Sequence, residues 1–228
     1  MCGRLSQYTG LHEFVDALSM PNVLVNLVGE QPERFNVAPS TAVTTLRLEG
    51  DALVAQAIKW GWRPGWARDR AAPINARAEK VATSRFYSSA WKHRALTPIS
   101  GWFEWVDGGE GRKQLFHIQH ADCSPILCAA IGQFPGLDEE PADHHGFVII
   151  TADAKGGMVD IHDRRPVVLP PELAREWIDP ATPPERAEQI VLMQGEPSEA
   201  FTWYPVSRDV GNVRNQGPQL IEPQRSAS

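Results

Sequence analysis

Five short strand-like runs follow one another between positions 96 and 151, at 96–99, 101–106, 114–119, 126–133 and 146–151, separated by turns that contain Gly, Pro, Asp or Ser. The intervening gaps leave little room for a crossover helix, and the longest of them carries Pro135, Gly136 and Pro141. Neighbouring runs of this kind must therefore pair mainly antiparallel. Two more runs, 43–48 and 53–60, flank Glu49-Gly50-Asp51 as a hairpin, and 2–9 and 202–206 read as first and last strands. Helical periodicity is confined to 11–19, with Leu11, Phe14, Val15 and Leu18 on one side, and to 83–93, 171–178 and 185–194. Residues 61–73, rich in Gly, Pro and Arg, read as a loop, and no repeat or linker divides the chain. The fold class expected is α+β: a single domain of mainly antiparallel β-sheets curling toward a barrel, with a few flanking helices. That domain should span 2–221, with 135–145 dispensable and 222–228 a disordered tail.

Composition narrows the class further. At 42% hydrophobic and 22% charged residues the chain is neither disordered nor fibrous. It has no apolar run of membrane-spanning length and no basic segment leading into an apolar one at its start. Three cysteines, an odd number, point to a reducing compartment, so a cytoplasmic location is expected. The net charge of −6 is unevenly spread: residues 59–94 hold nine Lys or Arg against Asp69 and Glu79, a local balance of +7 that leaves −13 elsewhere. One positive surface on an acidic body can draw in a polyanion.

Cys2 is the most informative single residue. Removal of the initiator Met1 would expose an α-amine with a pKa of about 7.7–8.0, so that roughly a tenth is neutral at pH 7. Amine and thiol on adjacent carbons can close on an aldehyde as an imine and then a thiazolidine. Alternatively the thiolate can attack an acyl carbon, with the amine as base; or Cys2 is merely a small residue tolerated at this position. Phe35-Asn36-Val37-Ala38-Pro39 reads as a turn without an evident helical or strand role. Trp60-Gly61-Trp62-Arg63-Pro64-Gly65-Trp66 interleaves aromatics with Arg, as single-stranded nucleic-acid sites do, although Trp60 reads as core. Asn75-Ala76-Arg77-Ala78-Glu79, followed by Thr83-Ser84-Arg85, supplies an amide and two guanidinium groups. Gly101-Trp102-Phe103-Glu104-Trp105 sets a carboxyl among rings that would raise its pKa. In Asp160-Ile161-His162-Asp163-Arg164-Arg165-Pro166, His162 can move a proton near neutrality. No metal or other cofactor is expected: there is no C-x-x-C, and His117, His120, Cys123 and Cys128 lack zinc spacing. Cys123 and Cys128 read as structural thiols, and His144-His145 as solvated.

Taken in order with Cys2-Gly3-Arg4, Pro205-Val206-Ser207 and Val213-Arg214-Asn215, these motifs resemble the SRAP family of abasic-site processing proteins, near its bacterial members. The resemblance runs from Cys2 to about Ile221. It implies a DNA damage protein that binds single-stranded DNA as a monomer and captures abasic sites covalently at Cys2, as a Schiff base and then a thiazolidine. Weak lyase activity, self-reversal and a peptidase activity are implied with it, at the nucleoid or replication fork. By position, Glu104 and His162 would be the acid–base pair and Asn75 would hold the lesion or the N-terminus. Arg4, Arg77, Arg85 and Arg164 would contact phosphates, and Pro39, Trp66 and Trp105 would meet bases. Gly3 and Thr151 stand at further DNA-binding positions. Ala67 departs from relatives with a second tryptophan there, which reduces the wedging surface. Two other readings remain: a class II glutamine amidotransferase, disfavoured by Arg4 and the lack of an Asn-Gly dipeptide, and a non-covalent single-stranded DNA binding module, which leaves Cys2, Glu104 and His162 without roles.

Overall fold

A computed structural model describes residues 2–30, 32–107, 113–193 and 195–224. The chain runs β1 (Leu5–Gln7), α1 (Leu11–Leu18), β2 (Val23–Asn26), β3 (Arg34–Val37), β4 (Ala42–Glu49), β5 (Ala52–Lys59), β6 (Asn75–Arg77), α2 (Ala78–Val81), β7 (Arg94–Ile99), β8 (Gly101–Asp107), β9 (Lys113–His120), β10 (Ile126–Gln133), β11 (Gly146–Asp153), β12 (Arg164–Pro166), α3 (Pro171–Ile178), α4 (Pro184–Met193) and β13 (Phe201–Val206). The fold is α+β, built on two sheets. One has the order β13-β9-β8-β1-β3; the other runs β12-β11-β10-β7-β4-β5-β2, with β6 also on β11. Pairing is antiparallel except where β2 joins β5 and β6 joins β11. Neither path closes into a barrel among the described residues.

The β4–β5 hairpin pairs Glu49 with Ala52 across Gly50-Asp51, and Gly50 takes the positive φ (58°) that such a tight turn needs. Helix α1 buries Leu11, Phe14 and Leu18, the apolar side read from its spacing. The α1 and α3 helices pack over a core of Leu46, Leu96, Ile131, Val148 and Trp177, while a second core holds Cys2, Leu5, Trp60, Trp102, Cys128 and Ile149. Cys2 is thus embedded at the head of β1 rather than dangling from it.

Several expectations are corrected. Residues 83–93 form turns with one short 3₁₀ segment at Ala90–Lys92, not a helix. The Ser84 hydroxyl accepts the Phe86 N–H at 3.3 Å, an alternative to the helical bond, and the consecutive rings of Phe86 and Tyr87 both pack on Trp62. Adjacent positions on a helix point about 100° apart, so a regular helix would separate those rings. The 35–39 segment is mostly strand β3, with the turn beginning at Ala38. In the 135–145 loop His145 is buried, not solvated, because its Nδ1 accepts the Ala142 N–H at 3.0 Å and folds the loop back. Gln194, the last residue of the expected 185–194 helix, lies outside the described residues, as do 225–228 of the tail; Gln224 N–H bonds the Pro205 carbonyl at 2.8 Å. Among the described residues no helix is long and apolar enough to cross a membrane.

Candidate active site

The start of β1 brings Cys2 to the edge of β6. The Cys2 carbonyl accepts the Asn75 Nδ2–H at 2.8 Å, and Asn75 Oδ1 is buried without a partner. Asn75 itself is held by pairing of β6 with β11, opposite Ile149, and by Tyr87 O–H donating to its carbonyl at 3.3 Å. The Cys2 side chain is fully buried. Burial pushes its thiol pKa up, and the negative fields of Glu104 and Cys128 push it further against a smaller opposing effect of the amino-terminal charge. A thiol held neutral is a poor resting thiolate.

Glu104 lies on β8, 2% exposed. Burial raises its carboxyl to about 7, with Asp163 adding to the rise and the amino-terminal charge opposing it. His162 follows the 3₁₀ turn at Gly156–Asp160, and its pKa is lowered by burial and by the amino-terminal charge against the pull of Asp163. Its Nδ1 is 2.5 Å from Asp163 Oδ1 and 3.0 Å from the Arg164 backbone N. Nδ1 accepts the Arg164 N–H, which in the neutral ring puts the proton on Nε2. Glu104 acts on the Cys2 thiol and Asp163 acts on both Glu104 and His162, so these groups lie within one another's fields.

The four arginines expected on phosphates fall into three kinds. Arg4 is 9% exposed, donates from Nη1 to Asn36 Oδ1 at 2.9 Å and lies 5.9 Å over the Trp105 ring. Its Nε is buried without a partner, and among the described residues it pairs with no carboxylate. Arg164, 5% exposed, donates to both oxygens of Glu79 (3.2 and 3.1 Å), to Asp153 Oδ1 (2.6 Å) and to the Thr151 carbonyl and hydroxyl. It is already neutralised, and it locks β12 to β11 and α2 behind His162. Arg77 and Arg85 are exposed, and Arg85 sits 6.0 Å over Trp66. Trp66 is 62% exposed and edge-on to Phe86, whereas Trp60 and Trp62 are core. Pro39 and Gly3 are half-buried, and Thr151 is buried, its hydroxyl on the Ala76 carbonyl at 3.4 Å.

Elsewhere Glu139, His144 and His145 bring their ligand atoms within 4.8 Å of one another. His145 Nδ1 accepts the Ala142 N–H, which in the neutral ring puts the proton on Nε2, the nitrogen 3.6 Å from Glu139. That nitrogen has no lone pair to offer a metal while the loop bond stands. The surface cavity lined by Arg47, Lys92, His93, Phe134 and Pro180 shares no residue with the Cys2 group.

Residues 1–213 match the family model described as SOS response associated peptidase (SRAP). The chain belongs to the SRAP family. It is 43% identical over 227 residues to abasic site processing protein YedK of Escherichia coli, covering 98% of this chain and 100% of that one. It is 28% identical to abasic site processing protein YoaM of Bacillus subtilis, over 97% of this chain and 98% of the relative. A crystal structure of a phage-related protein of Bordetella bronchiseptica is similar at a TM-score of 0.77 and 38% identity, covering 91% of this chain and 95% of the other. In this SRAP protein, sequence reasoning overlooked Tyr87 as a support for Asn75, and Glu79 and Asp153 as partners of Arg164. Only Glu79 carried a local signal, as the acid closing the 75–79 motif; the other pairings cross long stretches of chain.

Proposed function

We propose that this SRAP protein binds single-stranded DNA and captures abasic sites at Cys2. The observation that carries the reading is Glu104: a 2% exposed carboxyl with its pKa raised to about 7 by burial, whose field reaches the buried, neutral Cys2 thiol. An abasic site is an aldehyde masked as a ring hemiacetal. Ring opening needs a proton given to the ring oxygen and one taken from the hydroxyl, the work of Glu104 and His162. With Met1 removed, the neutral Cys2 amine adds to the aldehyde carbon, and loss of one water gives the imine. The thiol sulfur then bonds the imine carbon while its proton passes to nitrogen, closing a thiazolidine. A neutral thiol suits this last step and counts against a thiolate acyl nucleophile of the amidotransferase kind. The imine also opens the way to β-elimination, hence slow lyase activity, and the same proton transfers run backward allow release. Peptidase action at the same cysteine remains part of the proposal only through the family's description.

The test is intact-protein mass after incubation with a single-stranded oligonucleotide carrying one abasic site. The expected product is protein without Met1, plus oligonucleotide, less one water. A chain shown to lack Met1 that gives no adduct would overturn the reading. A variant retaining one extra residue before Cys2 should give none, since its free amine is displaced from the thiol; an adduct there would refute the α-amine route.

Non-covalent binding should weaken steeply with salt, because Arg4, Arg77 and Arg85 would each displace counterions. Three phosphate contacts give a slope of log affinity against log salt of about −2 for a single strand. A flat response in a fluorescence titration would remove this face as the DNA surface.

A further inference from the structure

Asn36 belongs to a motif whose purpose the capture chemistry leaves open. It is 2% exposed on β3, and its side chain joins two parts of the molecule that are remote in sequence. Its Oδ1 accepts from Arg4 Nη1 at 2.9 Å. Its Nδ2 is surrounded by three carbonyls, those of Val210, Asn212 and Asn215, at 3.2, 3.0 and 3.0 Å. Gln216 Nε2 closes the ring by donating to the Asn36 carbonyl at 2.9 Å. The loop supplying those carbonyls is internally braced: Asn215 Nδ2 donates to the Asp209 carbonyl at 2.8 Å, and Asn212 Oδ1 accepts the Arg214 N–H at 3.1 Å.

Only a neutral group with an acceptor on one side and donors on the other satisfies both neighbours. A carboxylate would face three carbonyl oxygens, and a hydrocarbon would strand them along with the guanidinium. The choice also leaves Arg4 charged. A carboxylate partner would neutralise it, as Glu79 and Asp153 neutralise Arg164, whereas a carboxamide orients the fork without cancelling its charge.

We infer that Asn36 is a positioning residue for the DNA face: it aims Arg4 at one phosphate and is itself fixed by the 207–216 loop, which thereby becomes coupled to DNA binding. This rests on the proposed single-stranded DNA reading.

The experiment measures binding of an oligonucleotide without an abasic site at 50–200 mM salt, for wild type, Arg4→Ala, Asn36→Ala and the double variant. Arg4→Ala should flatten the slope by about 0.7, the share of one phosphate on a single strand. Asn36→Ala should flatten it nearly as much, so that affinity over this salt range falls about 2- to 3-fold less than in wild type, and the double variant should match Arg4→Ala alone. An Asn36→Ala protein that melts lower yet keeps the full slope, or whose effect adds to that of Arg4→Ala, overturns the inference. Should Asn36→Ala not fold, hydrogen exchange on the wild type decides. Bound oligonucleotide should slow exchange in 207–216, and Arg4→Ala should abolish that protection; unchanged exchange overturns the inference. Wild type that shows no salt-dependent binding instead sinks the DNA reading itself.

Discussion

Cys2→Ala should form no stable adduct with an abasic-site oligonucleotide, while its affinity for the same strand should stay within a few-fold of wild type. In the proposed chemistry the thiol closes the thiazolidine, and the guanidinium groups that would hold phosphate are untouched. The α-amine survives in this variant, so a reversible imine should still form and be trapped by borohydride. That separates the two halves of the 1,2-aminothiol: stable adduct needs sulfur, reducible adduct needs only nitrogen. Because Cys2 is fully buried in the second core, loss of its sulfur should cost about 1 kcal/mol of stability, so the melt must be recorded beside the crosslink. A stable adduct from Cys2→Ala, seen by denaturing gel or intact mass, would move the nucleophile elsewhere.

Glu104→Gln should slow crosslinking by about 10²- to 10⁴-fold, the usual worth of a positioned acid or base. In wild type the acid form of Glu104 is lost as pH passes about 7, and the corresponding bend in the rate profile should vanish in the variant. The same residue predicts an opposite effect on stability. A carboxyl whose folded pKa lies above its unfolded value of about 4.3 holds a proton that the unfolded chain has released, so wild-type stability falls as pH rises from about 4.3 to 7. The amide carries no such penalty. Glu104→Gln should therefore melt above wild type at pH 8, by something of the order of 3–4 kcal/mol, and differ little at pH 4. Thermal melts at the two pH values check this directly; a variant less stable than wild type at pH 8 would mean that the Glu104 charge is well paired in the fold.

The contiguous motifs were legible because their chemistry is local. Cys2 beside Gly3, Glu104 between two tryptophans and His162 between two acids each declare a capacity without any fold. The antiparallel architecture was legible for a similar reason, since short gaps between β7, β8, β9 and β10 leave few other connections. Strands β2, β3, β6 and β12 escaped notice because each is only three or four residues long, too short for alternation to register. The 83–93 helix failed where aromatic packing on Trp62 overruled local periodicity.

Arg4 and Arg164 mark the boundary most sharply. As residues they are equivalent, and both read as phosphate contacts. In the fold one faces a carboxamide and keeps an unmatched charge, while the other is closed off by Glu79 and Asp153, 85 and 11 positions away. By itself, the sequence determined which reactive groups this protein owns and that its strands run mainly antiparallel. Which of those groups are charged, neutral or already satisfied was decided only by the tertiary structure, because desolvation and ion pairing depend on neighbours that chain order does not reveal.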